Sequence, residues 1–422
     1  MRVLILVFLC LSLDTYAQEF LLKPKFILDI ETGKLLQNDI HVKDGIIVKV
    51  GKNLTSKTAT IISMPSKILL PGLMDTHVHL IGNTDLQGYE NISESSYLST
   101  LYGVMNARKT LHAGFTTVRN VGASNYTDVA LRDAINRGII DGPRMLVSGP
   151  PLGITGGHCD NNLLPYELSR PGQGVVDSPW EARKKVRENR KFGADLIKFC
   201  ATGGVMSKNT DVNAKQFTFQ EMEAIVDEAH NHGMKVAAHA HGLEGIKTAI
   251  NAGVDSVEHS SFIDEETIML AIKNDVFLSM DIYVSDYILG EGALNGILEE
   301  SLEKERKTGR LQRENFRKAV NLGAKITFGT DAGIFEHGNN AKQFKYMVKW
   351  GMTSLQAIQA STIVAADLLG INNIAYIKEG YYADIIGVED NPIINIEALE
   401  NVTFVMKDGS ICLLYTSDAA DE

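Results

Sequence analysis

Two histidines one residue apart, His77 and His79, close an apolar run that climbs through Leu69, Leu70, Pro71 and Gly72 to Asp75. Alternate residues of a β-strand point the same way, so both imidazoles would leave one face about 7 Å apart. Neutral imidazole suits Zn, Fe, Co and Ni, and a pair offered from one strand end is half of a metal site. Two surface histidines beside a turn would read identically. The remainder of the chain has to supply the missing ligands.

Four further stretches do so. In ADLIKFCATGG, Leu196, Lys198 and Cys200 share a face. A lysine aimed into a protein interior is costly unless it is paired, snorkels to the rim or is modified. Addition of CO₂ would turn its amine into an anionic carbamate able to bridge two metals. KVAAHAHG places His239 and His241 on one strand face, DSVEHS ends in His259, and AKITFGTDAG runs to Asp331. A single histidine on an apolar strand is more often a core or surface residue; the joint pattern is what carries the metal reading.

The elements that must position these groups alternate along the chain. Apolar strand-like segments fall at 69–76, 115–120, 144–149, 194–200, 235–240, 254–259, 276–281 and 325–330. Amphipathic helical runs occupy 97–113, 126–138, 180–193, 218–232, 243–252, 264–274, 297–322 and 341–350. Eight such pairs predict an α/β fold, a parallel (β/α)8 TIM barrel over residues 67–374, whose active site lies at the C-terminal strand ends. The candidate ligands sit at the ends of strands one, four, five, six and eight. A Gly- and Pro-rich insert at 150–179 follows the third strand, and long inserts of this kind are usually functional. Residues 18–66 and 375–412 alternate apolar and polar and carry Lys-Asp-Gly turns at 43–45 and 407–409, predicting a small β-sandwich built from both chain ends. Residues 413–422 show no periodic signal.

The composition, 44% hydrophobic and 22% charged, is that of a soluble globular protein. A net charge of −11 argues against nucleic acid and anionic membranes as partners and leaves room for a cationic substrate. Residues 1–17 read as a signal peptide: Arg2, an apolar core from Val3 to Leu13 that is too short to span a bilayer, and a Thr15-x-Ala17 cleavage site. A secreted or periplasmic protein without a membrane anchor is expected. Beyond Cys10 the chain holds Cys159, Cys200 and Cys412, an odd number that excludes a disulfide framework. Cys159 and Cys200 could bridge if neighbouring loops met, with free buried thiols as the expected state.

HxH on strand one, Lys on strand four, His on strands five and six and Asp on strand eight resemble the binuclear amidohydrolase superfamily. The resemblance covers nearly all of the chain after residue 17. It implies two divalent metals, zinc by default, with His77, His79 and Asp331 on one and His239 and His259 on the other. Carbamylated Lys198 and a hydroxide would bridge them, the hydroxide attacking an amide carbonyl while Asp331 carries its proton to the departing amine. The motifs TGGH (155–158), KFCATGGVMS (198–207), AAHAHG (237–242) and GTDAG (329–333) are similar to the Xaa-Pro dipeptidase-like group. That group removes C-terminal residues from dipeptides and N-acyl amino acids. The likeness runs closest to its secreted zinc-dependent arginine carboxypeptidases. It implies a homo-oligomer, and His158 as a contact for the substrate carboxylate. His241 stands where the group often has Tyr and is the second candidate contact. For a C-terminal Arg or Lys, the acids available on nearby loops are Asp160, Asp281, Asp286 and Glu291.

Three other readings compete. His241-x-x-Glu244 matches mononuclear nucleobase deaminases of the same superfamily, but leaves Lys198 without a role, and Glu244 falls in a helical first turn where the dipole explains it. An imidazolonepropionase-like or lactone hydrolase would need no carboxylate clamp. A scaffold without activity would have lost ligands that this chain keeps.

Overall fold

A computed structural model describes residues 18–415; the expected signal peptide at 1–17 and residues 416–422 of the expected tail lie outside the described residues. The two chain ends meet in one sheet. Its strands run in the order Ser410–Leu414, Phe404–Lys407, Ile385–Val388, Thr60–Pro71, Glu19–Leu28, Asp39–Lys43 and Ile46–Gly51, with Leu35–Leu36 paired on Glu19–Leu28. Period-2 alternation decides what each face covers. Leu69, Ile385 and Phe404 join Leu22, Ile40 and Val42 in a core of the sheet's own. Their neighbours Ile68, Leu70, Ile386 and Val405 enter the large α/β core instead. The expected sandwich is therefore a single eight-stranded sheet, apolar on both faces and seated on the α/β part. Thr60–Pro71 also runs through the expected boundary at residue 66. Both Lys-Asp-Gly turns form as expected. Asp44 and Gly45 (φ 50° and 81°) and Asp408 and Gly409 (φ 48° and 76°) adopt the left-handed pairs of tight hairpins. The expected tail begins later than residue 413, because Leu413 and Leu414 pair with Val405 and Phe404.

Eight parallel strands form the rest of the framework: β1 (Leu73–Val78), β2 (Phe115–Asn120), β3 (Arg144–Val147), β4 (Leu196–Cys200), β5 (Lys235–Ala240), β6 (Ser256–His259), β7 (Phe277–Ser279) and β8 (Ile326–Thr327). The first begins four residues later than expected, since Leu69–Pro71 belongs to the terminal sheet and the chain breaks at Gly72. A Cβ at Gly72 would collide with Thr116. The strands pair as β1-β2-β3 and as β8-β7-β6-β5-β4. Single parallel bridges, Leu152 to Phe199 and Val78 to Ala332, join the two sheets at either seam. The expected closed barrel thus takes the form of two parallel sheets, with no continuous ladder across the seams among the described residues. Helices alternate with the strands, and several start where a cap was legible: Thr218 closes a reciprocal capping box on Glu221, and Asp264 accepts from Thr267.

Candidate metal centre and its cavity

The strand ends bring the expected ligands together. His77 lies on β1, 1% exposed, and the Asp331 backbone N–H donates to His77 O at 2.9 Å across the β1–β8 seam. That bond carries the Asp331 carboxylate to 3.4 Å from His77 Nε2 and 3.3 Å from His79 Nε2. His79 sits just past β1, at the rim. On the other side, the His259 ring is centred 4.5 Å from His239, 4.8 Å from His241 and 4.9 Å from His77. Two groups could each hold a metal ion: His77, His259 and Asp331, and His239, His241 and His259. His241, expected beside the substrate, therefore stands among the metal donors.

His259 reaches this place by backbone strain. On β6 the inward parity belongs to Ser256 and Glu258, whose side chains are fully buried. His259 turns inward because its φ is 69°, with Ser260 N–H donating to Glu258 O at 2.9 Å in a three-residue turn. Asp331 is also left-handed, at φ 60°. Non-glycine residues held there cost free energy, on the order of 1–3 kcal/mol each, and cluster at functional sites.

The outer contacts of the imidazoles fix which nitrogen faces the centre. His77 Nδ1 meets Glu258 Oε2 at 2.8 Å, and His259 Nδ1 lies 3.0 Å from both Asp281 oxygens. His241 Nδ1 meets Ser261 Oγ at 2.7 Å. Such contacts leave Nε2 for a metal and raise ligand basicity. Glu258 is held in turn by Arg119, whose guanidinium donates at 2.7 Å from the inward face of β2. Burial alone would raise the Glu258 pKa; Arg119 and His77 outweigh it and keep the carboxylate well below its usual range. Asp75, on the inward face of β1, accepts from Thr330 at 2.6 Å and from Asn340 at 2.8 Å, and burial lifts it to about 6. Glu258, Arg119 and the Asp75 contacts escaped the sequence reading. Their signal was the inward parity of charged residues on apolar strands.

A metal requires deprotonated donors, and electrostatics is divided on this: burial lowers His79, while at His77 burial and Lys198 are outweighed by the Asp331 and Glu258 contacts, which raise the imidazole. Burial, then neighbouring cationic charge, holds His239 and His241 well below the imidazole range. Lys198, 4% exposed, is pushed down to about 8, mainly by burial. It forms no ion pair within 4.0 Å among the described residues.

The insert after β3 supplies the remaining wall. Leu152 runs beside β4, its N–H donating to Lys198 O at 2.8 Å. Cys159 and Cys200 are disulfide-bonded with Cα atoms 6.0 Å apart, within the normal span of such a bridge. The expected free thiols are corrected here, because parallel pairing of the insert with β4 brings the two cysteines together. His158, next in the chain, is centred 4.1 Å from His239, and its Nδ1 meets Ser207 Oγ at 2.8 Å. A side chain at Gly204 would overlap the His158 ring, so that glycine makes room for it, while one at Gly203 would strike the Asp211 backbone. Together these residues border a cavity of about 310 Å³ lined by His77, His79, His158, Lys198, His239 and Asp331, among others.

None of the expected specificity acids is free to meet a substrate. Asp281 is committed to His259 and Gln312. Asp286 pairs with Arg313 and Tyr346, Asp160 caps the Gly156 and Gly172 amides, and Glu291 is exposed and does not line the cavity. Glu244 is exposed in the first turn of helix Leu243–Ala252, outside the cavity.

Comparison with known proteins agrees with this geometry. Residues 68–412 match the amidohydrolase family, whose members are generally binuclear metal-dependent hydrolases. The chain is 32% identical over 413 residues to an ochratoxinase of Aspergillus niger, covering 90% of this chain and 84% of that one. A crystal structure of an Xaa-Pro dipeptidase with methionine bound in its active site superposes with a TM-score of 0.87 at 37% identity, over 93% of this chain and 99% of that one. A prolidase complexed with N-methylphosphonate-L-proline gives a TM-score of 0.85 at 28% identity, with the same coverage. Strand-end donors and family match point the same way: the chain belongs to the amidohydrolase family.

Proposed function

We propose that this protein hydrolyses the amide bond ahead of the C-terminal residue of dipeptides or N-acyl amino acids, with Arg or Lys as that residue. The observation that carries the reading is the convergence of His77, His79, Lys198, His239, His259 and Asp331 on one cavity that His158 also borders. The dipeptidase and prolidase neighbours support a small amide substrate, and the exposed position of Glu244 weighs against the deaminase alternative. The two parallel sheets act as one eight-stranded barrel, and the protein is exported by its N-terminal signal peptide and assembles as a homo-oligomer.

The donor set fits two divalent cations, zinc first: five imidazoles, of which His77, His241 and His259 have anchored Nδ1 atoms, one carboxylate, and a lysine without an ion-pair partner. Such ions would act as Lewis acids and bring the pKa of a water toward neutrality. Lys198 Nζ, already depressed, would add CO₂ with loss of a proton and complete the set as a carbamate. An Asp331 carboxylate oxygen would accept the proton of the attacking water and pass it to the departing nitrogen, as a general base that becomes a general acid. His158, its Nδ1 engaged by Ser207, has Nε2 left to donate to the substrate carboxylate.

The test is a dipeptide library varied at the C-terminal residue, incubated with purified protein, zinc and bicarbonate, with free amino acids read out. Release of Arg and Lys, abolished by Lys198→Ala and Asp331→Asn, supports the reading. No release from any dipeptide, with two metals bound per chain, sends the search to cyclic amides and lactones.

A further inference from the structure

One buried acid at the cavity takes no part in the metal centre. Glu305 lies on helix Glu299–Leu322, whose inward stripe runs Leu302, Glu305, Gly309, Gln312, Phe316 at three- and four-residue spacing. That stripe should be apolar; Leu302 and Phe316 obey, while Glu305, Thr308 and Gln312 line the cavity instead. Gln312 has its task, donating to Asp281 Oδ1 at 2.7 Å and to His259 O at 3.1 Å. Glu305 does not. It is 5% exposed and receives the Thr308 hydroxyl at 3.1 Å, with Ser285 beside it, yet forms no ion pair within 4.0 Å among the described residues.

A buried carboxylate without a cation is costly, and its geometry is enforced. A Cβ at Gly309 would collide with Ser285 and come within 2.5 Å of Glu305 Oε1, so glycine lets helix and loop close around this carboxyl. Burial pushes its pKa up to about 7, which marks an acid still short of a positive partner. Apolar side chains share the lining of this cavity with it and the metal donors: Val205, Met206, Val284, Ile288 and Ile334, beside the polar Asp281, Thr308 and Gln312. A cavity that offers apolar side chains and one buried acid without an ion pair suits the methylene stem and charged tip of lysine or arginine.

We propose that Glu305 is the specificity residue of this cavity, receiving the cationic side chain of the substrate's C-terminal residue. The inference rests on the hydrolase reading above. Of the acids near the cavity, Glu305 is the one whose oxygens are not already claimed by a cation, an imidazole or a row of backbone amides. An arginine or lysine tip would form a charge-assisted hydrogen bond with this buried carboxyl, where such bonds are stronger than at the surface.

The test uses the zinc- and bicarbonate-loaded enzyme and its Glu305→Gln variant, which preserves shape and the hydroxyl contacts. Dipeptides ending in Arg, Lys and norleucine are compared by kcat/KM, and free L-arginine and L-norleucine are compared as ligands by thermal shift. Expected is a loss of roughly 10- to 100-fold for Arg and Lys substrates, carried by KM, with norleucine release within about threefold of wild type. L-Arginine should stabilise wild type and not the variant. A cationic preference that survives Glu305→Gln, or a wild-type enzyme without one, overturns the assignment and leaves amide hydrolysis standing. If no dipeptide is cleaved, the peptidase reading falls, and protection by L-arginine still decides: loss of it in the variant upholds Glu305 as the cation site, and equal protection of both proteins overturns it.

Discussion

The two walls of the cavity are built on opposite principles. On the strand-end wall the acids answer partners, Lys198 alone standing without an ion pair: Glu258 joins Arg119 to His77, Asp281 joins His259 to Gln312, and Asp331 spans His77 and His79. On the helix wall, Glu305 has hydroxyl contacts and no ion pair within 4.0 Å among the described residues, and apolar side chains share the cavity with it. A closed network holds its members in one geometry regardless of substrate, which suits chemistry. An unanswered charge in an apolar setting leaves binding energy to be claimed, which suits selection. The difference separates how a bond is broken from which bond is chosen.

Breaking the strand-end wall should do the most damage. Asp331→Asn should lower kcat by about 10²- to 10⁴-fold, the usual range for a lost proton carrier, in an amino-acid release assay. Glu258→Gln would leave the Arg119 guanidinium buried without its countercharge and cost about 3–5 kcal/mol of stability in urea unfolding. A cost below 1 kcal/mol would mean that the network is dispensable. The Cys159–Cys200 link ties the insert to β4, and Cys159→Ser with Cys200→Ser should cost about 2–4 kcal/mol. The same pair should raise KM, because His158 loses its anchor.

The helix wall should answer to pH. Glu305 is raised from 4.5 to about 7 in the folded chain, so the fold binds its proton more readily than the unfolded chain does. Its contribution to stability is complete below about pH 4.5 and is lost as pH rises through about 7. The stability of wild type minus that of Glu305→Gln should therefore fall across that window, by on the order of 3 kcal/mol. A flat difference would show that Glu305 is paired or solvated. The smallest effect belongs to Glu244→Ala: activity within about twofold of wild type. A 100-fold loss there would favour the mononuclear deaminase arrangement.

The cluster of candidate donors was legible because parallel strands impose a simple rule. Polar residues at C-terminal strand ends meet, so His77, His79, Lys198, His239 and Asp331 could be collected from spacing alone. His259 entered the same list on the wrong parity: its residue type was right, and only a left-handed φ of 69° turns it inward. Glu258 was overlooked for the complementary reason, since it holds the inward parity and lies fully buried beneath the ligands. The boundary of β1 was misread because the apolar run Leu69–Pro71 continues the terminal sheet, and hydrophobicity does not reveal which of two sheets an apolar residue joins.

By itself the chain's residue order determined the alternation of strands and helices, the two Asp-Gly hairpins and which side chains are candidate metal donors, because these depend on local periodicity and residue chemistry. Three things were decided only in the tertiary structure. The Cys159–Cys200 bridge needed the insert laid beside β4. The nearby acids Asp160, Asp281 and Asp286 were claimed by partners distant in sequence or by local amides. Glu305, an unremarkable acid on an amphipathic helix, became a buried charge facing a cavity. Each turns on which groups lie within a few ångströms across long sequence separations, and pairing and burial are set at that range.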